Sequence, residues 1–129
     1  MLLSIDERDP RPIYLQIVGE IKGQIRAGVL TPGEELPSVR ELAEALHINL
    51  HTVHRAYQKL RDDGVISLRL GQRARVAALR THPAGREVVE ERLAPRLREL
   101  ITEAYHLGVT PEAFRILVEE LLNEGGSAS

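Results

Sequence analysis

The apolar residues of this chain change their spacing at Gly64. Upstream, Ile13, Ile17, Ile21 and Ile25 recur every four residues, with Leu15 and Val18 widening the stripe. Val39, Leu42, Ala43 and Leu46, and then Val53, Ala56, Tyr57 and Leu60, keep the same helical spacing. Downstream, Ile66, Leu68 and Leu70 alternate with Ser67 and Arg69, and Ala74 and Val76 alternate with Arg73 and Arg75. A period of two belongs to a strand with one buried face. Gly71-Gln72 sits between the two alternating runs, so residues 66–76 are expected to form a β-hairpin with an apolar face and a basic face. Three helices that run straight into a basic hairpin leave few folds open.

Local signals set the boundaries. Pro12 suits the first turn of a helix over about 12–27, and Gly28 suits its end. Thr31-Pro32-Gly33 is a turn. Ser38-Val39-Arg40-Glu41 is a capping box: the Ser38 hydroxyl accepts from the Glu41 N–H, and the Glu41 carboxylate reaches back. Asn49 is a good cap for a third helix over 50–63, and Gly64 a good stop.

The remainder is helical and separate. Val89, Leu93, Leu97, Leu100, Ala104 and Leu107 are three or four apart, with Pro95 forcing a kink or a fresh start. After Gly108, Thr110-Pro111-Glu112 opens a last helix with the stripe Phe114, Leu117, Val118, Leu121 and Leu122. The closing GGSAS is expected to be a frayed, disordered tail. The expected fold is mainly α with a small β-hairpin: a winged helix-turn-helix domain over 1–79 and a C-terminal helical region over 80–129. The two stripes of that region are too apolar to leave in water, so Val89, Leu93, Leu97, Leu100, Phe114, Leu117, Val118 and Leu121 are expected to make a homodimer contact. The alternative is a helical hairpin folded onto residues 12–27 of the same chain.

Composition bears on function mainly through charge distribution. The net charge of −2 gives a nucleic-acid partner no support by itself. Residues 50–76, however, carry six Arg or Lys against Asp62 and Asp63, a local +4, while residues 80–129 carry six Arg against nine Glu. A basic segment inside an acidic chain is a nucleic-acid footprint. With no Cys, disulfides and thiolate metal sites are excluded. The longest apolar run is Val76-Ala77-Ala78-Leu79, and the N-terminus lacks the apolar core of a signal peptide, so a cytoplasmic protein is the default.

The third helix carries the function. Its back is Val53, Ala56, Tyr57 and Leu60; its front is His51, Thr52, His54, Arg55, Gln58 and Lys59. A solvated helix face would look the same, but the adjoining basic hairpin independently puts cations on one side. Polar side chains on such a helix can meet base edges in a major groove.

These residues resemble the DNA-binding domain of the GntR family of bacterial regulators. The matching pieces are Pro12-Ile13-Tyr14 with Gln16-Ile17, Gly28 with Pro32-Gly33, and Leu36-Pro37-Ser38 with Arg40-Glu41-Leu42-Ala43. Thr52-Val53, Ala56-Tyr57, Leu60 and Gly64 complete the set, which spans residue 12 to about 77. The short two-helix tail resembles the YtrA branch, whose members lack a large ligand-binding domain. The resemblance implies double-stranded DNA as partner, with repression as the outcome. It places Arg40 on DNA at the start of the second helix and Asn49, His51 and Thr52 at the front of the recognition helix. It puts Arg55 or Lys59 near phosphates and the Gly71 wing tip near the minor groove. Two departures bear on the target. Asn49-Leu50-His51-Thr52 stands where much of the family has Ser-Arg-x-Thr, so Leu50 either touches a thymine methyl or packs. Gly71-Gln72-Arg73 stands in place of Gly-x-Gly, so Arg73 itself is a candidate to enter a narrow groove alongside Arg69 and Arg75.

Other readings are weaker. His47, His51 and His54 invite a metal-responsive regulator, but Asn49 caps the helix between the first two, and no Cys or carboxylate completes a ligand set. No catalytic motif is present, so no enzyme activity and no cofactor are expected. A winged-helix protein–protein module is the alternative from another class. An unidentified small-molecule effector and a second copy of the chain are the remaining expected partners; a membrane is not.

Overall fold

The computed structural model describes residues 1–126. They divide into two compact units, one ending at Ala78 and the other beginning at Leu79. The first unit holds helices α1 (Ile13–Arg26), α2 (Val39–Leu46) and α3 (Leu50–Asp62), then strands β1 (Ile66–Ser67) and β2 (Arg75–Val76). Its core is aliphatic apart from Tyr57, in keeping with a chain of one Phe and no Trp. Ile17 and Ile21 of α1, Leu42 of α2, and Val53, Ala56, Tyr57 and Leu60 of α3 are buried with Leu30, Leu36, Ile66, Ala74 and Val76.

The helix boundaries follow from the local chemistry. α1 starts after Pro12, and Gly28 takes φ 80° just past its end, where the Val29 N–H reaches back to the Gln24 carbonyl at 2.9 Å. Both halves of the Ser38–Glu41 capping box are formed. His47, the one non-glycine residue with positive φ among the described residues, closes α2 at φ 55° and turns the chain into α3. The Asn49 side chain accepts from the His51 N–H at 2.8 Å and caps α3.

Two features of this unit were not visible in the pattern. The polar opening contributes to the fold: Leu3 and Ile5 pack on the core, and the buried Gln16 amide joins the Asp6 N–H and the Asp6 and Arg11 carbonyls. The wing also gains a third extended segment. The Leu36 N–H donates to the Ala74 carbonyl at 2.8 Å, the Gly33 N–H to the Val76 carbonyl at 2.9 Å, and Glu35 bridges to Arg75.

The hairpin is shorter than its alternation suggests. Ile66 pairs with Val76 and Ser67 with Arg75, and the ladder ends there. Leu68 still packs on the core, but Leu70, expected on the apolar face, is fully exposed. From Leu68 to Ala74 the described residues make no backbone hydrogen bond across the hairpin, only the Gln72 N–H to the Arg69 carbonyl in the turn, so alternation no longer dictates which side a residue faces.

The second unit contains α4 (Arg86–Arg92), α5 (Ala94–His106) and α6 (Pro111–Gly126). The fresh start at Pro95 is real: α4 stops at Leu93, and Pro95 falls in the first turn of α5, where a missing N–H costs nothing. Thr110 caps α6 through the Ala113 N–H at 3.1 Å. Gly125 and Gly126, expected to fray, belong to α6; the remaining three residues of that tail lie outside the described residues. From Leu79 to Glu124 no described residue is buried. No described helix is long and apolar enough to cross a membrane.

Candidate nucleic-acid interface

α3 has the two-sided construction that its sequence implies. Val53, Ala56, Tyr57 and Leu60 are 0–1% exposed, while His51, His54, Arg55, Gln58 and Lys59 all face solvent and Thr52 is half-buried. The Tyr57 hydroxyl donates to the Pro37 carbonyl at 2.7 Å, which ties α3 to the segment that leads into α2. Burial pushes the Tyr57 phenol up, with the Glu41 charge adding to it, so the hydroxyl stays a donor. At the leading end of α3, Asn49 is exposed and Leu50 is 41% exposed, so Leu50 does not serve the core.

Arg40, second residue of α2, is exposed. Among the described residues it makes no ion pair, with Glu44 one turn on or with any other carboxylate. In the wing, Arg69 is likewise exposed and without a partner among the described residues. Gly71 takes φ 76°, a conformation that L side chains rarely adopt. A Cβ there would meet nothing within 4 Å, so the tip is open on its outer side.

The expected basic face of the hairpin needs correction. Arg73 is paired with Glu41 at 2.7 Å. Arg75 is paired with Glu35 at 2.6 Å and donates to the Gly33 carbonyl at 2.9 Å. Of the three, only Arg69 is without an ion-pair partner among the described residues. Contacts with Ser38, and then the Arg73 guanidinium, hold the Glu41 carboxyl below its ordinary range. Lys59 is also partnered, with Asp63 at 3.3 Å, and Asp63 takes Lys22 of α1 at 2.6 Å. Arg55 is held differently: its guanidinium carbon lies 3.9 Å from the centre of the Tyr14 ring.

Sequence reasoning missed Glu35, Glu41 as an arginine partner, and Tyr14. These contacts join positions about 30 to 40 residues apart, for which local periodicity carries no signal. Among the described residues, no group of three or more His, Asp or Glu is placed to hold a metal ion. His47 is the α2 cap, on the turn before His51 and His54.

Comparison with known proteins agrees with this arrangement. Residues 13–76 match the model of the gntR family of bacterial regulatory proteins. The HTH-type transcriptional repressor YtrA of Bacillus subtilis is 32% identical over 123 residues, covering 93% of this chain and 92% of that protein. Among solved structures, YtrA of Sulfolobus acidocaldarius, a GntR-family transcription factor, superposes with a TM-score of 0.66 at 31% identity, covering 95% of this chain and 97% of that one. A transcriptional antiterminator of Listeria monocytogenes EGD-e gives 0.73 at 33% identity, covering 94% and 90%. The AraR DNA-binding domain in complex with operator ORX1 gives 0.54 at 26% identity, covering 60% of this chain and 99% of that one. With a helix-turn-helix and wing matched to the family model and a YtrA repressor matched over nearly its whole length, the chain belongs to the gntR family of bacterial regulatory proteins, in its short YtrA-like branch.

Proposed function

We propose that this chain is a transcriptional repressor that binds an inverted-repeat operator as a homodimer. The observation that carries the reading is α3 itself: a helix with an entirely buried back, a capped leading end and an exposed front of donors and cations. Such a helix fits a major groove, where side-chain donors and acceptors discriminate base pairs. The operator complex of the AraR domain supports this use of the fold, and the repressor name of the Bacillus subtilis relative supports the direction of regulation.

In this reading residues 1–79 are the DNA-binding domain and 80–129 the dimerisation region. Arg40, Asn49, Leu50, His51 and Thr52 meet base edges, and Arg55 and Lys59 lie beside the phosphate backbone. Arg69, Gly71, Gln72, Arg73 and Arg75 form the wing over the neighbouring groove. Arg69 has the strongest claim to a phosphate, since Arg73 and Arg75 must first share themselves with carboxylates. Val89, Leu93, Leu97 and Leu100, with Phe114, Leu117, Val118 and Leu121, meet a second copy. Filter binding of duplex DNA across a salt series tests the reading. A linear fall of log affinity with log salt supports it; no retention of any duplex at low salt would refute it.

A further inference from the structure

We propose that Tyr14 is a positioning residue for DNA binding: its ring holds the Arg55 guanidinium flat and presents the N–H edge of that group to a phosphate. This rests on the DNA-facing reading of α3 given above. The cations near the α3 front are held in two different ways. Lys59, Arg73 and Arg75 are each paired with a carboxylate, which engages part of their donor set and competes with a phosphate for them. Arg55 alone is held by a ring.

Stacking and ion pairing use different parts of a guanidinium. The ring quadrupole attracts its flat face, whereas its five N–H donors lie in the plane and point outward. The stack therefore leaves the Arg55 donors open, and Arg55 makes no hydrogen bond or ion pair among the described residues. The platform is itself fixed. Tyr14 is the second residue of α1, partly buried and packed against the core. Arg55 is exposed on α3, one turn after His51 and one turn before Lys59. An arginine already held in one orientation loses less freedom when it meets a phosphate, so it contributes more affinity than a loose one.

A double-mutant cycle on the full chain tests this, with affinity for a preferred duplex measured across a salt series. Arg55→Ala should reduce the slope of log affinity against log salt by about one. Tyr14→Leu should weaken binding about two- to fivefold and cost nothing more in the Arg55→Ala background. Tyr14→Phe, which keeps the ring, should bind like the parent. Tyr14→Met is a second ring-free variant of similar bulk should Tyr14→Leu fail to fold. Additive losses in the cycle, or a loss in Tyr14→Phe matching that in Tyr14→Leu, would overturn the proposal. An unchanged slope in Arg55→Ala, from a parent that does bind duplex, would overturn it while leaving the DNA-binding reading intact. A parent that binds no duplex would remove both.

Discussion

Tyr57 does two jobs from one position. Its ring fills the centre of the first unit, and its hydroxyl satisfies the Pro37 carbonyl. Tyr57→Phe keeps the ring and loses the bond, so urea unfolding should show a loss of about 1 kcal/mol. Asp63 is a second such position. Burial pushes its carboxyl up, but Lys22 and Lys59 together outweigh burial and hold it below the ordinary range. A depressed carboxylate contributes stability above its unfolded value, about 4, and that contribution is lost as pH falls through the lower folded value. Both lysines are partly solvent-exposed, so Asp63→Asn should cost about 1 kcal/mol near neutral pH after screening is allowed for. Unfolding curves of the variant and the parent should converge in acid; a constant gap down to pH 2 would mean that the pairs do not account for the shift. Arg40, exposed and unpaired among the described residues, is part of the proposed recognition surface. Arg40→Ala should cost about 1–3 kcal/mol at a preferred duplex and less at random DNA, and equal losses would make it a phosphate contact.

At the scale of elements, the wing separates cations that look alike in the sequence. Arg75 joins β2 to the 33–36 segment through Glu35 and Gly33, while Arg69 reaches into solvent. Arg69→Ala should therefore lower the salt slope of DNA binding by about one and leave thermal stability unchanged. Arg75→Ala should lower thermal stability as well, and a melting scan beside the salt series distinguishes the two. This contrast marks how far the sequence could be read. The caps at Ser38, Asn49 and Thr110 and the break before Pro95 were legible because they depend on neighbours within four residues. The buried ridge of α3 was legible because helical period alone defines it. The third segment of the wing was not, because Thr31-Pro32-Gly33-Glu34-Glu35 has turn and surface character, and only its pairing with β2 makes it extended. Leu70 was misread because alternation was continued past the last ladder pair. Tyr14 was visible only as a piece of a family motif; its partner lies on another helix.

At the scale of the whole molecule, the proposed dimer accounts for an imbalance between the units. The first has a buried core; the second presents Leu93, Leu97, Leu100, Leu117, Val118 and Leu121 at 38–56% exposure, with Phe114 half-buried. At about 25 cal/mol per Å² of apolar surface, covering a few such side chains on each copy contributes several kcal/mol. Leu117→Glu with Leu121→Glu should yield monomers in sedimentation that bind a full operator far more weakly, while the first unit stays folded. A two-fold dimer presents two copies of α3 to one face of the duplex, which ties operator symmetry to protein symmetry. Selection of bound duplexes from a random pool reads out that symmetry. A two-fold dimer should enrich an inverted repeat with half-site centres about one helical turn, 10–10.5 base pairs, or a multiple of it apart. A pool with no enriched sequence, or one converging on a single site without two-fold symmetry, would contradict it.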